Sequence, residues 1–375
     1  MDAARRLPEA GRRAMNLGGW AFPIAPRPDE LLSSWLSRTA FAHGQGTHVF
    51  CNYYLPGRAI WTRDIDRRPM DEALSRLSAA GGIPLRMLRS CTLGTMAGFA
   101  RIGPGRGRWP WLLSAGVFHR KRRLNGLQYC PACLGADPPC FKREWRLAFM
   151  TVCRIHASPL LDACRACGEA LCPHRSLRYR VEYCHACERD LREYPGDGAA
   201  EAEISDLQHA LLRAVSGQTV RWRECEFPYA DFLDTCRILM GKLSRTTIAS
   251  CRAAFGLAEA SIRPDGPRAR QFEDTRLGER RHRLETLQVW MNDWPESVLY
   301  GANAMGLTRQ SFVRTVLPDA LASVLTRLRP GRGRHRRPAA ARLAQIAGRR
   351  LKRRSPARYR RARARYLLAS AGICR

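Results

Sequence analysis

Eight residues in the middle of this chain have the types and spacing of metal ligands. Cys130-Pro-Ala-Cys133 is followed by nineteen residues and then Cys153-Arg-Ile-His156. Seven residues later comes Cys164-Arg-Ala-Cys167, and sixteen after that Cys184-His-Ala-Cys187. Two residues between ligands form a tight knuckle, so both donors of a pair reach one ion at about 2.3 Å, and two knuckles complete a tetrahedron. The first two pairs give three thiolates and one imidazole, and the last two give four thiolates. Thiolate and imidazole donors select Zn²⁺ by softness and geometry. All four corners are filled by protein, so two structural zinc ions are expected rather than a catalytic one, which keeps an open position. Cys140, Cys172, His174 and His185 lie close enough in sequence to be alternative ligands. Nine of the 15 cysteines fall in this block. Clustered cysteines of this kind read as metal-binding rather than as a disulfide framework.

The elements around the block read as helical. Leu31, Leu32, Trp35, Leu36 and Ala40 recur at helical spacing, which predicts a helix over 29–42 that starts after Pro28 with Asp29-Glu30 in its first turn. Residues 71–80 and 84–93 predict a helix–turn–helix pair broken at Gly81-Gly82, with Arg86 and Arg89 projecting from the second helix. Residues 101–111 are rich in Gly, Pro and Arg and read as an exposed linker. Beyond 203, helical stripes run through Ile204, Leu207 and Leu211, then Phe232 to Leu243, then Leu284 to Trp294. Strand alternation is not seen outside the cysteine block. A second helix-turn-helix is expected around Ala302, Gly306 and Thr308, with a recognition helix over 308–316 that offers Arg309, Gln310, Ser311 and Arg314 to nucleic acid.

The expected fold is mainly α: helix-turn-helix-type domains flanking two small zinc ribbons, with a basic C-terminal tail. The expected divisions are a disordered leader over 1–14, a helical domain over 15–100, tandem ribbons over 101–195, a second helical domain over 200–326 and an Arg-rich tail over 327–375. The formal net charge is +31. Eighteen Lys and Arg and no acid lie in 327–375, which leaves +13 for the rest. The excess basicity points to a nucleic-acid partner, gripped through phosphates by the tail, including Arg349, Arg350, Lys352, Arg353 and Arg354. No run approaches the roughly 20 apolar residues of a membrane span, and the first 14 residues lack the apolar core of a secretory leader. No membrane contact is expected, and the expected location is the cytoplasm of a bacterium, in association with the nucleoid. No P-loop lysine, H-E-x-x-H or G-x-S-x-G is present, and no set of catalytic carboxylates can be picked out. The expectation is therefore a protein that is not an enzyme.

Several stretches together resemble one family. They are Tyr129-Cys130-Pro131-Ala132-Cys133-Leu134, Arg143-Glu144-Trp145-Arg146-Leu147, Val152-Cys153-Arg154-Ile155-His156 and Leu160-Leu161-Asp162-Ala163-Cys164-Arg165-Ala166-Cys167-Gly168. With the opening Pro26-Arg27-Pro28-Asp29-Glu30-Leu31-Leu32-Ser33-Ser34-Trp35-Leu36, they resemble the TniQ/TnsD transposon target-selection proteins. The resemblance implies a non-catalytic, homodimeric adaptor in DNA transposition. It would link target DNA, or an RNA-guided CRISPR Cascade complex, to the AAA+ ATPase regulator of a transposase. The Arg-rich tail is not something that family pattern demands. The alternative is a zinc-containing transcription regulator that reads a specific duplex by itself.

Overall fold

We describe a computed structural model over residues 19–331, apart from 59, 68, 101–106, 119–120, 123, 194–204, 245–246, 259–270 and 313–315. The expected leader, the PGDGAA boundary, the tail beyond Gly331 with Arg349, Arg350, Lys352, Arg353 and Arg354, and Arg314 lie outside the described residues.

The N-terminal helices are α1 (Leu32–Ala42), α2 (Thr47–Tyr54), α3 (Asp71–Gly81), α4 (Leu85–Ser90) and α5 (Ala97–Ala100). Trp20, Trp35, Leu36, Phe50, Trp61, Leu74 and Leu77 fill the core between them. Each large apolar side chain buried there contributes about 1.5–3 kcal/mol. The 71–93 pair forms as expected in outline. Gly82 caps α3 at φ +61°, and a Cβ at Gly81 would come within 2.8 Å of the Trp20 ring. Both glycines therefore have a physical reason, one a left-handed backbone and the other a close approach. α4 is shorter than expected and ends at Ser90. Arg89 on it pairs with Asp71 at 3.2 Å, and Arg86 is exposed.

The start of α1 differs from expectation. The helix begins at Leu32, and Asp29 and Glu30 precede it. Asp29 sits at φ +58° and pairs with Arg143 at 3.0 Å. Glu30 is fully buried and accepts from Ser34 Oγ at 2.8 Å and Arg38 Nη1 at 2.6 Å. Burial is the main influence on its carboxyl and raises its pKa, against the pull of Arg38. Tertiary ion pairs, rather than the helix dipole, placed these two acids.

The middle of the chain holds the hairpin β1 (Val117–Phe118) and β2 (Lys121–Arg122), the short α6 (Pro131–Leu134), and 3-10 turns at Arg143–Arg146 and Pro173–Arg175. Its opening stretch corrects the expected exposed linker. Trp109 and Trp111 are 3% and 2% exposed, and Trp111 N–H donates to Glu273 Oε1 at 2.8 Å. The aromatic side chains outweigh the Gly/Arg composition around them.

The C-terminal helices are α7 (Asp206–Val215), α8 (Tyr229–Met240), α9 (Ile248–Ala254), α10 (Leu277–Trp290), α11 (Glu296–Ala304) and α12 (Asp319–Leu325). Ser205 caps α7 by accepting from Gln208 N–H at 3.1 Å. Between α7 and α8 runs an antiparallel hairpin, β3 (Val220–Trp222) with β4 (Cys225–Phe227), which the sequence reading did not foresee. Each strand has only three residues, too few for a period of two to stand out.

Contacts divide the chain into two units. One takes in the described residues up to Leu307 and from Val316 to Leu328; the other holds, among the described residues, Thr308 to Phe312 and Arg329 to Gly331. In the second unit, the expected recognition helix is corrected. Among the described residues of this segment, a 3-10 turn, Arg309–Ser311, forms under a Thr308 capping box, and residues 316–318 are not helical. Ser311 Oγ accepts from Thr308 N–H at 3.1 Å, so that hydroxyl closes the cap. Arg309 and Gln310 are exposed on this turn. None of the described helices is long and apolar enough to cross a membrane.

Candidate metal centres

Three of the four knuckles share one backbone design. Cys153, Cys164 and Cys184 each accept at their carbonyl from the N–H four residues on, at 3.0, 2.8 and 3.0 Å. Their own N–H groups donate to the carbonyls of Ser158, Glu169 and Arg189, at 2.8, 3.0 and 2.9 Å. The residue after the second ligand is left-handed in each case: Ala157 at φ +47°, Gly168 at +72° and Glu188 at +58°. The first knuckle is built differently. Pro131 starts α6 directly after Cys130, and Cys130 Sγ accepts from Cys133 N–H at 3.5 Å.

This design gives a local prediction. A Cβ on Gly168 meets nothing within 4 Å, so only the left-handed backbone opposes it. Gly168→Ala should destabilise the chain by about 1 kcal/mol, whereas Ala157→Gly should relieve the same strain. Shifts of the two denaturation midpoints in the same direction would refute the shared design.

The knuckles bring the ligand atoms into two groups. Cys130, Cys133, Cys153 and His156 form one, and Cys164, Cys167, Cys184 and Cys187 the other; within each group the donor atoms lie within 4.8 Å of one another. A tetrahedron with about 2.3 Å metal–sulfur bonds has sulfur–sulfur edges of about 3.8 Å and sulfur–nitrogen edges of about 3.5 Å. The observed sulfur pairs are Cys133–Cys153 at 3.5 Å, Cys164–Cys187 at 3.7 Å and Cys167–Cys184 at 3.7 Å. His156 Nδ1 lies 3.5, 3.2 and 3.7 Å from Cys130, Cys133 and Cys153. Each group therefore has the size and donor chemistry to hold one ion through all four corners, with Nδ1 as the imidazole donor. Lys142 Nζ stands 3.7 Å from Cys133 Sγ and Ser158 Oγ 3.5 Å from Cys130 Sγ, so a cation and a hydroxyl offset thiolate charge at the first group.

The nearby alternatives join neither group among the described residues. His174 stacks on Trp61, with ring centres 4.4 Å apart and planes at 9°, and its carbonyl accepts from Thr47 Oγ1 at 2.6 Å. The Cys172-Pro-His174 segment thus packs against the N-terminal helices. His185 lies within its knuckle between two ligands, and burial lowers its pKa. Burial pushes the Cys140 thiol up to about 11, and Cys51, Cys91 and Cys251 up to about 12, so these thiols stay protonated as small apolar groups.

The first group is held between the helical regions by buried polar contacts. Arg146, with no exposed surface, donates to Asp64 at 3.1 and 2.6 Å, to Asp66 at 3.2 Å and to the Leu113 carbonyl at 3.1 Å. Asp66 in turn accepts from Ser33 N–H and Oγ at 2.7 and 2.8 Å. On the other side, Gln208 Oε1 accepts from Thr151 N–H at 2.9 Å, and Gln208 Nε2 donates to the Val152 carbonyl at 3.1 Å. Buried Arg280 reaches the Ala148 carbonyl at 3.1 Å, Gln128 Oε1 at 3.2 Å and Asp162 at 3.4 Å. Sequence reasoning missed these framework residues. Their one signal was the Arg143-Glu144-Trp145-Arg146-Leu147 stretch between two ligand pairs.

By class, the described chain is a helical protein assembled around two paired-knuckle ligand clusters, each able to hold a metal ion. Residues 21–160 match the family model TniQ. That is a family concerned with target selection in transposition. The match takes in the N-terminal helices and the whole Cys130–His156 group and ends before Cys164. A comparison with curated proteins gave no match.

Proposed function

We propose that this protein is a target-selection adaptor in DNA transposition, with no chemistry of its own. In this reading it couples a target-recognition module, either target DNA or an RNA-guided CRISPR Cascade complex, to the AAA+ ATPase regulator of a transposase. The TniQ domain over 21–160 carries the proposal. The metal groups support it. Seven cysteines and one histidine fill every corner of two tetrahedra, and the ion each holds is Zn²⁺. An ion so enclosed has no open position for substrate or water, so it stabilises the fold rather than activating a nucleophile. The site residues are then Cys130, Cys133, Cys153 and His156 for one ion and Cys164, Cys167, Cys184 and Cys187 for the other. The tail arginines add sequence-independent phosphate contact, and the protein acts as a homodimer on the bacterial nucleoid.

The test is affinity purification of the intact protein from its native host, followed by mass spectrometry. Recovery of an AAA+ ATPase, with or without CRISPR subunits, is expected. Tight binding to one specific duplex with no ATPase recovered would favour the transcription-regulator alternative.

A further inference from the structure

A cleft in the C-terminal region has an unusual charge arrangement. It measures 280 Å³ and lies between α7 and the β3–β4 hairpin. His209 and Arg213 line it from the helix, and Arg221 and Arg223 from the hairpin. All four are exposed side chains. Ala210, Val220 and the buried Trp222 form an apolar floor.

Elsewhere many arginines of this chain are held by carboxylates, as Arg146, Arg192, Arg237 and Arg283 are. Here the guanidiniums are oriented mainly by neutral acceptors. Arg223 donates to the Asn292 carbonyl at 3.0 Å and to the Asn292 side-chain oxygen, and lies 5.5 Å over the Trp222 ring. Arg213 reaches the Thr219 carbonyl at 3.5 Å. Arg221 enters no ion pair among the described residues, although Glu226 is its cross-strand neighbour. The one acid of the lining, Asp206, is 67% exposed and no closer than 3.9 Å to Arg223. Neutral acceptors fix a guanidinium in place and leave its charge uncompensated. Such a set is preorganised for an anion with several acceptor oxygens.

We propose that this cleft holds the phosphodiester backbone of duplex DNA. The cleft has room for a sugar-phosphate unit, the guanidinium forks match phosphate oxygens, and the apolar floor suits a sugar. Contacts of this kind position a duplex without reading its sequence. The inference does not depend on the adaptor role: a chain that recovers no ATPase would still grip DNA here.

The test is fluorescence anisotropy of the full chain on two unrelated 30-base-pair duplexes across a salt series. Each lost phosphate contact should flatten the log–log salt slope by about 0.9. Arg213→Gln/Arg221→Gln should therefore flatten it by about 1.8, equally on both duplexes. Arg221→Gln alone, at an exposed side chain with no ion pair among the described residues, keeps the fold and should flatten it by about 0.9. Arg58→Gln/Arg76→Gln removes two charges already paired with Glu72 and serves as the control. A cleft variant whose slope matches that of the control, or a wild-type chain that binds neither duplex, would overturn the proposal.

Discussion

Cys153→Ser is expected to lower the zinc content by about one ion per chain and to unfold more than its own ribbon. A structural zinc supplies about 10–16 kcal/mol of binding energy to a small site that cannot bury a core of its own. That exceeds the stability of a typical domain, about 5–15 kcal/mol, at the lower end of both ranges. The Cys130–His156 group also lies between two bodies of helix. Phe141 N–H donates to Ser34 Oγ at 2.9 Å on one side, and Gln208 bonds Thr151 and Val152 on the other. Loss of the ion should therefore carry the near-ultraviolet dichroism of the surrounding tryptophans with it. Cys167→Ser at the second group should also lose about one ion per chain but disturb those tryptophans less, because Cys167 is exposed. Atomic absorption and dichroism on the two variants check both statements. Two ions still bound in either variant would remove that cysteine from the ligand set.

The second large effect is expected at Arg146. Arg146→Met removes a fully buried cation that pairs with both Asp64 and the buried Asp66. Breaking a buried pair from one side costs about 3–5 kcal/mol, because the remaining charge has lost its water and its partner. Adding Asp64→Asn and Asp66→Asn should recover a large part of that loss, since the carboxylate charges that Arg146 offset are then gone. Denaturant midpoints of the single and triple variants measure it. A triple variant as unstable as the sum of its parts would show that charge pairing is not what holds Arg146.

The readable features of this chain were those that repeat locally. The C-x2-C and C-x2-H spacing identified the residues that the fold brings together, because each knuckle closes within six residues. The stripes behind α3, α7, α8 and α10 were equally legible, since burial of one helical face leaves a period of 3.6. Long-range partners were not legible. Asp29 and Glu30 looked like first-turn acids, yet Arg143 and Arg38 hold them outside the helix. Trp109 and Trp111 sat in a stretch whose glycines and arginines suggested solvent. The turn chemistry of Gly306 and Thr308 was sound: Gly306 is left-handed and Thr308 caps. Where a helix was expected after them, the described residues form a 3-10 turn over Arg309–Ser311, because good capping starts a helix without lengthening it. The cationic cleft beside α7 was invisible for a similar reason, since Arg213 and Arg221 stand apart in sequence and meet only across a hairpin too short to announce itself.

The most direct measurement is zinc K-edge X-ray absorption on the intact protein, with the metal content determined on the same sample. Two closed sites predict two zinc ions per chain, with seven sulfur ligands at about 2.3 Å and one imidazole nitrogen shared between them. One ion per chain, or a shell containing oxygen from bound water, would contradict the closed, structural character on which the non-catalytic reading rests.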